Sequence, residues 1–186
     1  MAFCHGCVGA SSDPLVPELV HVSTRLALIA IGANLGDPAD QVRGAFAALR
    51  IRFGAGLCAS SLWGSRPVDC PPESPDFVNA ACAVALPSAT PPLEILDALQ
   101  ALEAEAGRVR SVRNAPRLLD LDLIAFGELE RVEPRLTLPH PRAHERAFVL
   151  VPAAEVAGDF VLPGTNATLD ALAQRVPGRE GLWRLD

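Results

Sequence analysis

Apolar and polar positions along the chain change period several times, and each change marks an element. Residues 26–31 are an unbroken apolar run of strand length closed by Gly32, the pattern of a strand covered on both faces. Asp37 and Pro38 then supply a helix cap and a proline at the first helical position, and Val42, Ala45, Phe46 and Leu49 recur at helical spacing. That combination predicts a helix with one buried face. Residues 57–63 read as a second strand. Residues 66–76 hold Pro67, Pro71, Pro72 and Pro75, which exclude regular structure, so a long functional loop is expected there.

Residues 77–86 alternate as a strand does, with Phe77, Asn79, Ala81, Ala83 and Ala85 on one face and Val78, Ala80, Cys82, Val84 and Leu86 on the other. Asn79 is the polar exception on its face. A second helix is predicted from a Thr90 cap and Pro91 through Ile95, Leu99, Leu102 and Ala106 to a stop at Gly107. Residues 118–126 are apolar apart from Asp120 and Asp122 and read as a fourth strand. The order strand, helix, strand, strand, helix, strand is the ferredoxin-like β-α-β-β-α-β pattern of an α+β fold. Beyond it LTLPHPRAHERAFVLVP leads into a short helix and residues 168–174 into a last one, so extra C-terminal helices pack on the core. Residues 1–24 lack sustained periodicity and read as an extension of disordered character, with residues 25–186 as a single domain.

Composition narrows the function classes. A chain of 186 residues is long enough to bury roughly 70% of its unfolded surface. The net charge of -6 argues against a general nucleic-acid or membrane-surface binder. Every basic residue is Arg, so a Walker-type lysine, a Schiff-base lysine and a kinase-type strand lysine are excluded. No apolar run is long enough for a bilayer and the N-terminus lacks the pattern of a signal peptide, so a cytoplasmic protein is expected. Cys4, Cys7, Cys58, Cys70 and Cys82 do not resemble a disulfide framework, and Cys4-His5-Gly6-Cys7 has no second pair at zinc-site distance. The GANLGDP turn fits neither of the common phosphate-loop patterns.

The candidate chemistry centres on Asp120 and Asp122. Two positions apart on a strand, they leave the same face roughly 7 Å apart. Like charges on an apolar strand repel unless a cation lies between them, and a divalent metal resolves the conflict. Arg108, Arg110, Arg113 and Arg117 lie just upstream, an arrangement suited to metal-bound polyphosphate. The alternative is a structural network in which the Asp pair caps a turn or pairs with those arginines. Phe77 and Phe148 are either ordinary core or the two faces of a slot for a flat heterocycle, with Asn79 offering donor and acceptor to its edge. Gln100 and Glu103 face either the same cleft or solvent.

Together these residues resemble the hydroxymethyl-dihydropterin pyrophosphokinase family of folate biosynthesis. The resemblance runs from about residue 26 to residue 164, through IAIGANLGDP, PDFVNA, GRVRSVRNAPRLLDLDLIAFG and LTLPHPRAHERAFVLVP. It implies a ferredoxin-like fold and transfer of the terminal diphosphate of ATP to the pterin hydroxymethyl group, with release of AMP. It further implies that Asp120 and Asp122 hold two Mg2+ ions, that Arg108 and Arg117 are catalytic, and that Arg110 and Arg113 meet the polyphosphate. Gln100, Glu103, Leu123, Arg135, Thr137, His140 and Arg146 match ATP-side positions, Arg146 with the phosphates. Phe77 and Phe148 would sandwich the pterin, Asn79 would read its amide edge, and Ser65, Pro67 and Val68 would line the pocket. The Gly36 turn and the proline-rich loop would act as lids.

The chain departs from that pattern in having Ser65 where Thr is usual, Arg66 and Asp69 where small or apolar residues are common, and Asn114 where some members carry an aromatic. The expected partners are ATP and the pterin, with neither nucleic acid nor membrane, and the chain is expected to act as a monomer. Two other classes fit the bare Asp-x-Asp strand: a different metal-dependent nucleotidyl- or glycosyltransferase, and a non-catalytic binding module.

Overall fold

The computed structural model describes residues 22–107 and 116–185. The elements follow as β1 (Thr24–Ala33), α1 (Pro38–Phe53), β2 (Cys58–Ala59), β3 (Leu62–Ser65), β4 (Phe77–Pro87), α2 (Pro92–Glu105), β5 (Asp120–Phe126), β6 (Arg131–Val132), β7 (Thr137–Leu138), α3 (Ala147–Ala157), β8 (Val161–Leu162), β9 (Ala167–Thr168), α4 (Leu169–Arg175) and β10 (Leu182–Leu185). The expectations for residues 1–21 of the extension, for Cys4 and Cys7, and for Arg108, Arg110, Arg113 and Asn114 lie outside the described residues, while Thr24, counted with the extension, opens β1.

The main sheet has the order β10-β3-β4-β1-β5, every neighbour antiparallel, with β2 also on β4. β1 is central and apolar on both faces because both are covered. Ala27, Ile29, Ile31 and Ala33 pack with Val42, Phe46 and Leu49 of α1 and Ile95 and Leu99 of α2. Leu28 and Ala30 pack instead with the cluster built by α3 and α4. The alternation expected for residues 77–86 holds: Val78, Ala80, Cys82, Val84 and Leu86 enter the first cluster and Ala81 and Ala83 the second. Burial pushes the Cys82 thiol up to about 12, so it is an inert core residue. Asp37 caps α1 through a bond accepted from Asp40 N at 3.1 Å.

Two expectations are corrected and one element is added. Thr90 does not cap the second helix: α2 begins at Pro92 with Pro91 as its extended, uncapped N-cap residue. A residue before proline is pushed out of the helical region, so Pro92 delays the start by one position. The second strand is broken into β2 and β3 by a one-residue register change, since Ala59 faces Cys82 whereas Trp63 faces Asn79. At the break Ser60 Oγ accepts from Ala81 N, and the Ser61 N–H, left off the ladder, donates to Glu155 Oε2 at 2.7 Å. This is a bulge with its spare donor satisfied from α3. The short helix expected from LTLPHPRAHERAFVLVP is α3, entered through a 3₁₀ turn at Ala143–Glu145. Finally, β10 adds an unpredicted edge strand on β3, with Trp183 lying over Gly64 so closely that a Cβ there would stand 2.1 Å from the indole.

A second bulge sits in β5. Leu28 faces Ala125 and Ile29 faces Leu123, so Ile124 is the extra residue. Ile124 and Ala125 consequently both join the α3 side, while Phe126 turns to the α1 and α2 side. Among the described residues, no helix is long and apolar enough to cross a membrane.

Candidate active site

β1 and β3 end, and β4 and β5 begin, at the same end of the sheet. On the face away from α1 and α2, the helical cover is incomplete there, because α3 starts only at Ala147 and reaches the rim with Phe148 and Val149. The result is a cavity of about 390 Å³ whose floor is Ala30, Ile31 and Gly32 and whose walls include Ser65, Phe77, Asn79, Asp120, Asp122, His140, Arg146 and Phe148. Gly32 faces Asp120 on one side and Asn79 on the other, and Ala30 faces Asp122 and Ala81. Neighbouring strands lie about 4.8 Å apart, so Asp120 and Asn79 stand roughly 10 Å apart with only small residues between them. The floor is flat because its middle strand presents no large side chain on this face.

One end of the cavity is charged. Asp120 and Asp122 share this face, as their spacing predicts, and neither is fully buried. Arg117 Nη1 donates to Asp120 Oδ2 at 2.7 Å, with both side chains mostly covered. Arg146, which precedes α3, lines the same end, and its guanidinium carbon lies 5.6 Å from the Phe148 ring centroid. Burial, then the nearby Arg142, lowers the Arg146 pKa from its ordinary value, while Asp122 and Asp120 oppose the shift. Arg142, not foreseen as a site residue, also lines the cavity and donates to Asp69 Oδ2 at 2.7 Å. Its sequence signal was its place between His140 and Arg146 in one basic block. Asp69 has φ +54, a conformation that asparagine and aspartate tolerate better than most residues.

His140 is held by its N–H donating to Ile124 O at 2.8 Å, and its Nδ1 accepts from Arg142 N at 3.2 Å. An Nδ1 that accepts carries no proton, which leaves Nε2–H as the donor. Burial lowers the His140 pKa from 6.5, against the attraction of Asp122 and Asp120. A depressed histidine binds fewer protons folded than unfolded. Its contribution to stability is complete above pH 6.5 and is lost as pH falls from there towards the lower folded value. The Hε1 resonance of His140 is expected to titrate with a midpoint below 6.5, and a midpoint above that would contradict the buried neutral form.

The other end, built by β4, carries Phe77 and the amide of Asn79. Asn79 is only 4% exposed, and Nδ2 donates to Ser65 Oγ at 2.9 Å and to Trp63 O at 3.3 Å. Both amide hydrogens are thereby committed, and Oδ1 is left on the Gly32 side, 3.8 Å from where a Cβ on that glycine would stand. Asn79 thus offers the cavity an acceptor, where the sequence had suggested donor and acceptor together. Ser65 keeps the hydroxyl that this arrangement needs. Val68, Arg66 and Cys70 line the loop side.

Several anticipated residues lie elsewhere. Pro67 is outside the cavity lining, as are Gln100, Glu103, Leu123, Arg135 and Thr137. Glu103 is neither in the cleft nor solvent-facing: it is 6% exposed and accepts from Leu121 N at 2.7 Å, between the two Asp positions. Arg135 pairs with Asp97 of α2 in the open. Gln100 and Glu103 lie on α2, Leu123 on β5, Thr137 on β7 and Arg135 in the turn before β7, alongside the outer edge of β5. That edge is capped by Glu103 at Leu121 and by His140 at Ile124, with Leu123 between them. Among the described residues no three or more His, Cys, Asp and Glu side chains are grouped so as to hold a metal ion by themselves.

A family model described as 7,8-dihydro-6-hydroxymethylpterin-pyrophosphokinase (HPPK) matches residues 28–158. A 2-amino-4-hydroxy-6-hydroxymethyldihydropteridine pyrophosphokinase from Pseudomonas aeruginosa is 41% identical over 158 residues, covering 81% of this chain and 96% of its own length. A protein of the same name from Synechocystis is 39% identical over 150 residues, covering 81% and 75%. Among solved structures, a wild-type Plasmodium falciparum HPPK-DHPS with pterin and p-hydroxybenzoate superposes with a TM-score of 0.63 at 12% identity, covering 87% of this chain and 45% of that one. The likeness to that structure concerns the fold, and this chain spans less than half of its length.

Proposed function

This chain belongs to the 7,8-dihydro-6-hydroxymethylpterin-pyrophosphokinase family, and from that premise we propose how its residues divide the reaction. The enzyme transfers diphosphate from ATP to the hydroxymethyl group of 6-hydroxymethyl-7,8-dihydropterin in folate biosynthesis, giving AMP and the pterin diphosphate. The antiparallel order β10-β3-β4-β1-β5 favours reading the core as ferredoxin-like, with the second, third, first and fourth core strands side by side. The observation that carries the division is one cavity lined by Asp120 and Asp122 on one side of β1 and by Asn79 and Phe77 on the other, with Arg117, Arg146 and Phe148 in the same wall.

Asp120 and Asp122 fit Mg2+. That ion is usually bound through one or two carboxylates together with substrate phosphates and water, so a pair without a third protein ligand suits it. When bound, magnesium neutralises phosphate charge and polarises the phosphoryl oxygens. Arg117 and Arg146 grip phosphate oxygens in the fixed geometry of their forks, and the Nε2–H of His140 donates to the same chain of oxygens. Arg108, Arg110 and Arg113 are assigned to the polyphosphate by the family pattern. The nucleoside end of ATP leaves the cavity over the outer edge of β5, towards Leu123, Thr137, Arg135 and Gln100, with Glu103 holding the strand beneath it.

The pterin lies on the flat floor between Phe77 and Phe148, its amide edge on Asn79 and its hydroxymethyl arm towards Asp120. Ser65 and Val68 form the loop side, Ser65 by fixing the amide, and Pro67, assigned there by the family pattern, joins them in the chain from outside the lining. The hydroxymethyl oxygen then attacks the β-phosphorus in line and its proton is lost to solvent as the α,β-bridging oxygen departs with AMP. Positioning and preorganised charge supply the acceleration.

The test is mass spectrometry of the protein with ATP, magnesium and 6-hydroxymethyl-7,8-dihydropterin. AMP and pterin diphosphate are the expected products, and ADP or unchanged substrates from folded protein would overturn the reading. Asn79→Ala is expected to raise the pterin KM by about 10- to 100-fold, through loss of a buried hydrogen-bonding group, with the ATP KM within about 2-fold. Equal effects on both substrates in steady-state kinetics would place the pterin elsewhere.

A further inference from the structure

Asn34 stands one residue beyond β1 and lines no part of the cavity, yet its side chain, 2% exposed, joins two segments that do. Its Oδ1 accepts from Arg117 N at 2.8 Å and its N–H donates to Arg117 O at 3.1 Å. Its Nδ2 donates to Pro75 O at 3.2 Å. Arg117 delivers its guanidinium to Asp120, and Pro75 ends the proline-rich loop two residues before Phe77. One planar amide therefore spans the phosphate-side arginine segment and the pterin-side loop. The turn after Asn34 reinforces the first connection. A Cβ at Gly36, which has φ +67, would stand 3.6 Å from Leu118 Cδ2, so the residue after Arg117 packs directly on that turn.

We propose that Asn34 is a positioning residue that holds the Arg117 segment and the 66–76 loop as one unit, so that the grip on phosphate and the grip on pterin are set together. The proposal rests on the division of the site given above. Its physical basis is that a buried amide which loses one partner bears the desolvation cost of the orphaned group, so displacing either segment disfavours the position of the other. The amide also has separable halves. Aspartate retains the acceptor for Arg117 N but turns a second oxygen on the Pro75 carbonyl, whereas alanine removes both connections.

Steady-state kinetics and thermal melts of Asn34→Asp and Asn34→Ala test this. Asn34→Asp is expected to raise the pterin KM by about 10-fold with kcat within about 3-fold, and Asn34→Ala to raise the pterin KM and also lower kcat by about 10-fold or more. Folded variants with a lower melting temperature but wild-type pterin KM and kcat would overturn the proposal and leave Asn34 a structural residue. Should neither variant fold, hydrogen exchange on the unaltered protein decides. The α,β-methylene analogue of ATP with magnesium, without pterin, is expected to slow exchange across residues 66–76 by about 10-fold by stabilising the closed unit, and unchanged exchange there would overturn it. Failure of the activity reading shows separately, as absence of AMP and pterin diphosphate with the unaltered protein.

Discussion

Asp122→Asn is expected to lower kcat by about 10³-fold or more while leaving the melting temperature within a few degrees of the parent. The rate effect follows from the role proposed for the pair, since the ion held there contributes several kcal/mol to neutralising phosphate charge, and 1.4 kcal/mol is about tenfold in rate. The small effect on stability has a different origin. Asp122 shares its strand face with Asp120, and an isosteric amide removes one of two like charges without opening a cavity. Titration calorimetry with magnesium and the ATP analogue should show the loss as weaker metal-dependent nucleotide binding. A structural network predicts the reverse, with rate retained and melting temperature lowered, and full activity in Asp122→Asn would remove the metal assignment.

Arg117→Ala is expected to cost about 10²- to 10³-fold in kcat, the scale seen when one preorganised donor to a developing phosphoryl or oxyanion charge is removed. Its signature should differ from that of Asp122→Asn. Arg117 shares Asp120 with any ion bound there, given its 2.7 Å contact with Asp120 Oδ2. Removing the guanidinium takes away a competitor for that carboxylate, so metal-dependent nucleotide binding should hold or strengthen while turnover falls. Arg117→Lys should recover only part of the loss, because an ammonium lacks the planar fork that meets two phosphate oxygens at once. Single-turnover kinetics beside calorimetry separates the two effects. Weaker nucleotide binding with an unchanged single-turnover rate at saturation would mean that Arg117 serves the ground state alone.

The elements that the local pattern specified are those whose cause is local. The Asp37 cap and Pro38 start α1 through neighbouring backbone groups, and the alternation in residues 77–86 follows from a pleat that covers both faces of β4. Thr90 misled because the constraint came from the next proline pair. The two bulges were invisible for another reason. Ser61 and Ile124 are extra only relative to partners on other strands, and no period within one segment records that. β10 was missed because four residues are too few for a period, and its docking depends on the absence of a Cβ at Gly64, more than a hundred positions away.

The same distinction runs through the site. Spacing alone put Asp120 and Asp122 on one face and marked Asn79 as a polar intruder in an apolar strand, since side-chain direction in a strand depends only on parity. Charge composition removed every mechanism that needs a lysine. The tertiary structure decided the matters that require distant chain segments to meet: that Ser65 and Trp63 take both hydrogens of the Asn79 amide and leave its oxygen to the cavity, that Glu103 supports β5 from beneath, and that Arg142 joins the wall. Hydrogen-bond partners and burial belong to pairs of residues brought together by folding, and a pattern read along one chain segment specifies only one member of each pair.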